Sequence, residues 1–389
     1  MLQGKSKSAL KFVVMLGIVS LCADATYEGA RSITGAYLGV LGASGFVVGL
    51  VAGLGELIGY CFRLFIGYLS DQTRKYWRIT TIGYALNTAV VPLLALAGTW
   101  QVAAALMIGE RTGKAIRTPP RDVLLSHAAL RLGGGFGFGL HEALDQIGAV
   151  AGPLAVAAVV YYQGGYQGGF AILIVPAVVG MIVLLIGQRI YPNPRDFEHQ
   201  TPELTGKGLP RKFWIYLGAV AFMAAGFADF PLIAYHFQTT AIATGNTIPL
   251  LYALAMGVDG IAALVFGRLF DRIGISILIV AAVLSSLFAP LVFLSNINLA
   301  VLGMVLWGIG MGAQESILKA AVAAMVPIEK RGSAFGIFNT GYGLSWFLGS
   351  ALMGILYDRS INALVVFSAL IQLAAIPILL LVNRREQRN

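Results

Sequence analysis

The sequence predicts an all-α integral membrane protein, with twelve transmembrane helices arranged as two pseudo-symmetric six-helix bundles. Three observations predict it. The chain has 389 residues, 58% of them hydrophobic and 12% charged, and its mean hydropathy is +0.79. Apolar runs of about 20 residues, the length that crosses a bilayer as a helix, recur throughout. Residues 67–71 read Gly-Tyr-Leu-Ser-Asp and residues 267–271 read Gly-Arg-Leu-Phe-Asp, so one polar turn recurs at half the chain length.

Soluble domains carry about a quarter charged residues. An interior large enough for this many apolar side chains does not exist at this length, so lipid must solvate much of the surface. The 48 glycines exceed the usual share and fit close packing of helices through small residues. The net charge of +9 is not a nucleic-acid footprint, because no stretch joins a basic run to a polar, aromatic platform. Cys22 and Cys61 both lie in apolar runs and make no metal motif. No metal and no cofactor are expected. The basic N-terminus, MLQGKSKSALK, leads into an apolar run from Phe12 to about Gly42 that carries Asp24, Glu28 and Arg31. That run is too long for a signal-peptide core, so it reads as a retained first span.

The predicted spans are 12–41, 45–70, 77–97, 100–118, 134–160, 168–190, 213–238, 247–270, 275–295, 299–325, 333–357 and 361–382. The extended polar stretch 191–212, with four prolines, reads as a cytoplasmic linker between an N-terminal six-helix bundle, 1–190, and a C-terminal one, 213–389. With the N-terminus inside, the inner segments collect Lys5, Lys7, Lys11, Arg74, Lys75, Arg78, Arg117, Arg121, Arg131 and most later basic residues. The outer loops keep Arg359. By the positive-inside rule this predicts a multi-pass protein of the inner (cytoplasmic) membrane with both termini cytoplasmic. The outer loop Tyr161-Tyr162-Gln163-Gly164-Gly165-Tyr166 fits interfacial anchoring.

The hairpin GYLSDQTRKYWR resembles the loop between helices two and three of the major facilitator superfamily, whose pattern is roughly G-x-L-(S/A)-D-(R/K)-x-G-(R/K)-(R/K). Gly67, Leu69, Ser70, Asp71, Arg74 and Lys75 match, Gln72 replaces a basic residue, and the internal glycine is absent. The second copy keeps Gly267, Leu269, Asp271, Arg272 and Gly274. With twelve spans and a polar central linker, the resemblance covers the chain and implies a secondary transporter working by alternating access. Gly148-Ala-Val-Ala-Gly152-Pro153 is similar to the G-x-x-x-G-P signature of the antiporter branch, with Val156 and Ala157 where further glycines are usual. Ordinary close packing explains it equally. Arg111 with Gly113 and Ala115 partly resembles the arginine motif of proton-coupled members.

Each charge within a span needs a reason, since one at the bilayer centre costs at least about 2.5–3.5 kcal/mol on insertion scales. Asp24, Glu28 and Arg31 share a face of the first span at i, i+4 and i+7. Further spans carry Glu56 and Arg63; Glu110, Arg111, Lys114 and Arg117; His141, Glu142 and Asp145; Asp229 and His236; Asp259; and Glu315 and Lys319. Overlaying the halves at an offset of 205 puts Asp24 on Asp229, Arg31 on His236, Glu110 on Glu315 and Lys114 on Lys319. The resemblance implies that the four helices bearing these positions line the central cavity. Glu110 with Lys114 and Glu315 with Lys319 could instead neutralise each other at i, i+4. His141 and Asp145 share a face and fit either proton transfer or core hydrogen bonding. A gating role is expected for Gly67, Asp71, Arg74, Gly152, Pro153, Asp271 and Arg272; Asp71 could clasp basic groups or a helix N-terminus in one state only.

The expected function is secondary active transport, coupled to protons, of a small-molecule substrate, by a monomer in the lipid bilayer. Acids outnumber bases within the spans, which favours a cationic or neutral amphipathic solute moved outward by proton antiport. Uptake of an organic anion held by Arg31, Arg111, Lys114 and Lys319 is the alternative, with divalent metal export through Asp24, Glu28, Asp229 and His236 behind it. No HExxH, GxSxG or Walker loop is present, so an enzyme is not expected; a passive channel is the remaining alternative. For the topology, single cysteines at Gln163 and Glu203 are expected to react with impermeant maleimide from opposite sides of the membrane. Labelling from one side would overturn it.

Overall fold

The computed structural model describes residues 2–132, 134–163, 165–192, 208–243, 245–327 and 330–386. Most of the predicted linker, with Arg195, Glu203 and Lys207, lies outside them. Fifteen α-helices form the described chain: α1 (Leu2–Val40), α2 (Gly45–Thr73), α3 (Tyr76–Leu93), α4 (Trp100–Arg131), α5 (Gly134–Gln163), α6 (Tyr166–Ile172), α7 (Ile174–Ile190), α8 (Arg211–Gly226), α9 (Phe230–Thr240), α10 (Thr247–Ile273), α11 (Ile277–Ser286), α12 (Phe288–Phe293), α13 (Ile297–Met325), α14 (Arg331–Arg359) and α15 (Ile361–Glu386). The described residues contain no strand.

Among the described residues, nine segments are long and apolar enough to span a membrane, and one of them, Thr247–Phe293, holds two passes. Helices α4 and α14 make up the twelve. In α4 the hydropathy is diluted by Glu110, Arg111, Lys114 and Arg117. The exterior is apolar, as lipid as solvent requires. On α7, Ile174, Val178, Ile182, Leu185 and Ile186 all lie exposed along one side.

Three spans are built from two helices each. The sixth is α6 and α7, the seventh α8 and α9, and the ninth α11 and α12. A proline lies in the first turn of each second piece: Pro176, Pro231 and Pro290. There the missing N–H is no loss, because first-turn donors have no partner within the helix. At Leu173 and Leu287 the backbone stays near helical values, but Phe227, at φ −88° and ψ 108°, is extended. Of these three spans, the seventh is the unwound one. Helix α4 differs from its predicted end at 118 and continues through Pro119 and Pro120 to Arg131. Arg117, predicted near the inner end of the fourth span, is 1% exposed and lies inside a continuous helix.

The repeated turn is repeated in backbone geometry. Three residues after each aspartate the chain turns left-handed, at Arg74 with φ 54° and at Gly274 with φ 64°. Aligned on Asp71 without a gap, Arg74 falls on the internal glycine of the family pattern and not on one of its basic positions, which corrects its match above.

By compactness the chain forms two units. The first comprises Met1–Thr34, Cys61–Thr201 and Gly245–Ala253, and the second Gly35–Tyr60, Pro202–Thr244 and Leu254–Asn389. In the first unit α3 lies along α4, and Phe12, Leu16, Val19, Trp77, Tyr84, Leu124 and Leu184 form an apolar core. Trp77 donates its indole N–H to the Tyr191 carbonyl at 2.9 Å. In the second unit α8 packs on α14 and α15, and Phe227 lies between the rings of Trp307, Trp346 and Phe288. Each unit draws on both halves of the sequence.

Gly274→Ala is expected to lower the unfolding free energy by about 1 kcal/mol, since an L side chain is disfavoured in the left-handed region. A thermal-unfolding midpoint in detergent reads it, and an unchanged midpoint would show that the turn relaxes.

Candidate functional site

The first unit holds a buried charge cluster built on α1, α3 and α4, with Tyr252 from α10. Helix α4 presents Glu110, Arg111, Lys114 and Arg117, which recur at the spacing of one helical face. Helix α3 lies close enough to meet them because Gly113 faces the backbone of Asn87. Asn87 then donates its amide to Glu110 twice, at 2.7 Å to Oε1 and at 3.1 Å to the carbonyl. Glu110 Oε2 also takes Arg111 Nε at 3.5 Å.

Helix α1 supplies the facing groups. Asp24 Oδ1 pairs with Arg117 Nη2 at 3.2 Å, and the Arg117 guanidinium lies 4.5 Å from the centre of the Tyr84 ring. The remaining Arg117 nitrogens, Nε and Nη1, have no hydrogen-bond partner among the described residues. Glu28, 6% exposed, accepts the Tyr252 hydroxyl. Lys114 Nζ stands 3.5 Å from the centre of the Tyr27 ring, with Arg111 Cζ at 5.1 Å from the same ring. No carboxylate lies within 4.0 Å of Lys114 among the described residues. Arg31 is buried a turn beyond Glu28.

The predicted i, i+4 neutralisation of Glu110 by Lys114 is therefore not formed. Asn87 and Arg111 hold the carboxyl, and Tyr27 holds the ammonium. Tyr27, Asn87, Arg117 and Tyr252 complete the cluster and were not among the predicted site residues. An amide inside the third apolar run and a cation three residues after Lys114 were the legible signals for Asn87 and Arg117; nothing in the sequence pointed to Tyr252.

A second cluster lies beside it. Arg121 donates to Ser20 Oγ at 2.9 Å and to Asp122 at 2.7 Å, and approaches Asp145 at 4.0 Å. His141 Nδ1 is 3.6 Å from Asp145 Oδ2. The ligand atoms of His141, Glu142 and Asp145 all fall within 4.8 Å of one another, but the Arg121 guanidinium beside Asp145 opposes a bound cation. Gly148 and Gly152 bring the α5 backbone onto α1 at Leu21 and Ala25, positions where a Cβ would collide with those carbonyls. Pro153 follows inside the same helix.

In the second unit the repeat-related residues serve differently. Asp229 caps α9 by accepting Phe230 N at 2.8 Å, next to the unwound segment. The freed carbonyls there are taken: Gly226 O by Ser368 Oγ at 2.6 Å and Gln372 Nε2 at 3.0 Å, Ala228 O by Trp307 Nε1 at 2.9 Å. His236 Nδ1 meets the Tyr357 hydroxyl at 3.0 Å. Asp259 is buried where Gly312 of α13 crosses α10, and Glu56 is half-buried. Glu315 and Lys319 are exposed. Of the gating candidates, Asp71 accepts the Tyr76 hydroxyl at 3.3 Å, Gly67 lies against Pro119, and Asp271 and Arg272 are exposed.

A family model described as Major Facilitator Superfamily matches residues 16–240 and 213–389. The chain belongs to the major facilitator superfamily. It is 42% identical over 377 residues, 95% of this chain and 92% of the other, to a Mycobacterium tuberculosis protein described as uncharacterized. It is 30% identical over 366 residues, 90% of this chain and 89% of the other, to an uncharacterized MFS-type transporter of Methanocaldococcus jannaschii. Among solved structures it is similar to a POT family peptide transporter, with a TM-score of 0.75 at 12% identity covering 97% of each chain. It is also similar to the nucleoside transporter NupG, with a TM-score of 0.72 at 13% identity covering 94% of this chain and 98% of that one. At these identities the structures show the fold: the chain is an all-α, multi-pass membrane transporter of the superfamily.

Breaking the Asp24–Arg117 pair from the acid side strands a buried guanidinium. Asp24→Asn is expected to cost about 3–5 kcal/mol of stability, and Asp24→Asn with Arg117→Met to recover most of it. Equal thermal-unfolding midpoints for the single and double variants would contradict this.

Proposed function

We propose that this chain is a proton-coupled secondary transporter whose first-unit charge cluster binds the anionic group of a small organic solute. The observation that carries the reading is the partnering within the cluster. Asp24 is held by Arg117 and Glu110 by Arg111 and Asn87, while among the described residues Lys114 meets the Tyr27 ring and no carboxylate. With every group ionised, the three carboxyls Asp24, Glu28 and Glu110 stand with the three cations Arg111, Lys114 and Arg117, of which Lys114 has no carboxylate within 4.0 Å among the described residues. Lys114 is thus placed to meet a carboxylate or phosphate, which suits the cluster better than a cation.

Glu28, whose partner is a tyrosine hydroxyl rather than a cation, carries the coupling proton. Its protonation raises the charge of the cluster by one and favours an anion; anion and proton then travel together, and the membrane gradient drives uptake. A cationic solute would compete with that proton and leave by antiport, the reading that the excess of acids in the sequence favours. The packing of Gly148 and Gly152 on α1 accounts for the antiporter-like motif without requiring that direction.

In this reading the halves 1–190 and 213–389 rock about the 191–212 linker, the protein acts as a monomer in the cytoplasmic membrane, and both termini face the cytoplasm. The Asp71 turn, with Gly67 and Arg74, works at the cytoplasmic gate, and Asp271 and Arg272 occupy the related turn of the other half.

The test is proteoliposomes loaded with a pH-sensitive dye and presented with panels of organic anions and organic cations. Internal acidification on adding an anion is expected. In Lys114→Gln the half-saturating concentration should rise about tenfold or more, the loss of a charge-assisted contact, with partial retention in Lys114→Arg. In Glu28→Gln, exchange of labelled anion should persist while acidification disappears. Internal alkalinisation on adding cations, with no response to anions, would establish antiport instead.

A further inference from the structure

A second ionic device sits in the second unit, at the opposite end of α2 from Asp71. Asp358, in the last turn of α14, accepts Gly45 N on Oδ1 and Phe46 N on Oδ2, both at 2.8 Å. Both bonds are charge-assisted, and the carboxylate lies where the helix dipole of α2 favours an anion. Gly45 makes the approach possible, since a Cβ there would lie 2.7 Å from Asp358 Oδ1 and 2.6 Å from the Tyr357 ring.

From this point the two helices run together backbone to backbone. Gly49 faces the Ser350 carbonyl and Gly354, and Gly53 faces Ser350 and Phe347, so the small residues of α2 recur every four positions against α14. The neighbouring side chain closes the same end. Tyr357 bonds through its hydroxyl to His236 Nδ1 at 3.0 Å and Thr239 Oγ1 at 3.1 Å, both on α9. Gly39 of α1 packs under Tyr235. The last turns of α1, the first of α2, α9 and the end of α14 are thus tied at the end that carries the α1–α2 and α14–α15 connections. Arg359 is the one basic residue at those connections, against the many of the inner segments, so the sequence places this end outside the cell.

We propose that Asp358 is the latch of the extracytoplasmic gate, holding the N-terminus of α2 on α14 when that side is closed and releasing it when that side opens. At the mouth of the seam the carboxylate and the two amide donors are the switchable element. Next along the seam, Gly49 and Gly53 meet α14 through glycine surfaces, which part without leaving a buried charge. The proposal rests on the transporter reading for its meaning, though not on the identity or charge of the solute.

The test uses the full chain with Cys22 and Cys61 replaced by serine and a single reporter cysteine at Ser350, which is 2% exposed on the seam. Membrane-impermeant maleimide is applied from outside to right-side-out vesicles. With Asp358 present, labelling should be slow. In Asp358→Ala it should quicken about tenfold, the population shift expected when a charge-assisted contact is lost; Asp358→Asn should lie between.

Gly45→Ala attacks the same contact without touching a charge and should quicken labelling as well, which covers the case in which Asp358→Ala fails to fold. Variants that stay monodisperse and label at the original rate overturn the latch, as does a lowered unfolding midpoint with no change in labelling. Labelling that rises only in inside-out vesicles overturns its placement at the extracytoplasmic side. Because no solute is added, a failure of anion transport and a failure of the latch give separate results.

Discussion

The pairing of Arg117 with Asp24 ties the first unit together. A guanidinium that is 1% exposed inside a membrane span has no water to turn to, so it must meet a carboxylate and an aromatic face. Meeting them fixes the rotation of α4 against α1 and the distance of both from Tyr84 on α3. Once that rotation is set, Lys114 and Arg111 fall over Tyr27, and Glu110 falls beside Asn87. The pair organises the cluster more than it stabilises it, since desolvating two charges offsets much of their attraction.

Glycine provides the proximity that the charges need. In lipid there is no hydrophobic drive to bring two helices together, so packing and polar contacts decide which faces meet. Gly113 lets Asn87 reach Glu110, Gly148 and Gly152 seat α5 on α1, and Gly45, Gly49 and Gly53 seat α2 on α14. The same crossings lack side chains that interlock, so they can part, and a contact such as the Asp358 carboxylate on the α2 amides can set when they do.

The two halves carry related charges but use them differently. Helix α1 is continuous, and its Asp24 faces an arginine; the seventh span is unwound from Phe227, and its Asp229 caps the helix that restarts. Pro231 in the first turn of α9 marks where the restart is cheapest. Arg31 and His236 diverge in the same way, the latter bonded to Tyr357. Asp24 thus meets a cation where its counterpart Asp229 closes a helix end.

What the sequence by itself determined is what depends on local pattern. The lengths of the apolar runs set the spans, and the turn at 67–71 and 267–271 announced the duplication. The charged positions on α1 and α4 were legible, because a charge in a membrane span is costly enough to stand out singly. Partners were decided by the tertiary structure alone. Whether Glu110 neutralises Lys114 or leaves it to Tyr27, which carboxylate meets Arg117, and whether Asp358 is a loop charge or a cap depend on which helix faces lie together. The physical reason is that a pairing is a property of two faces: spacing along one helix gives a charge its face, and the neighbour that meets it comes from a distant part of the chain.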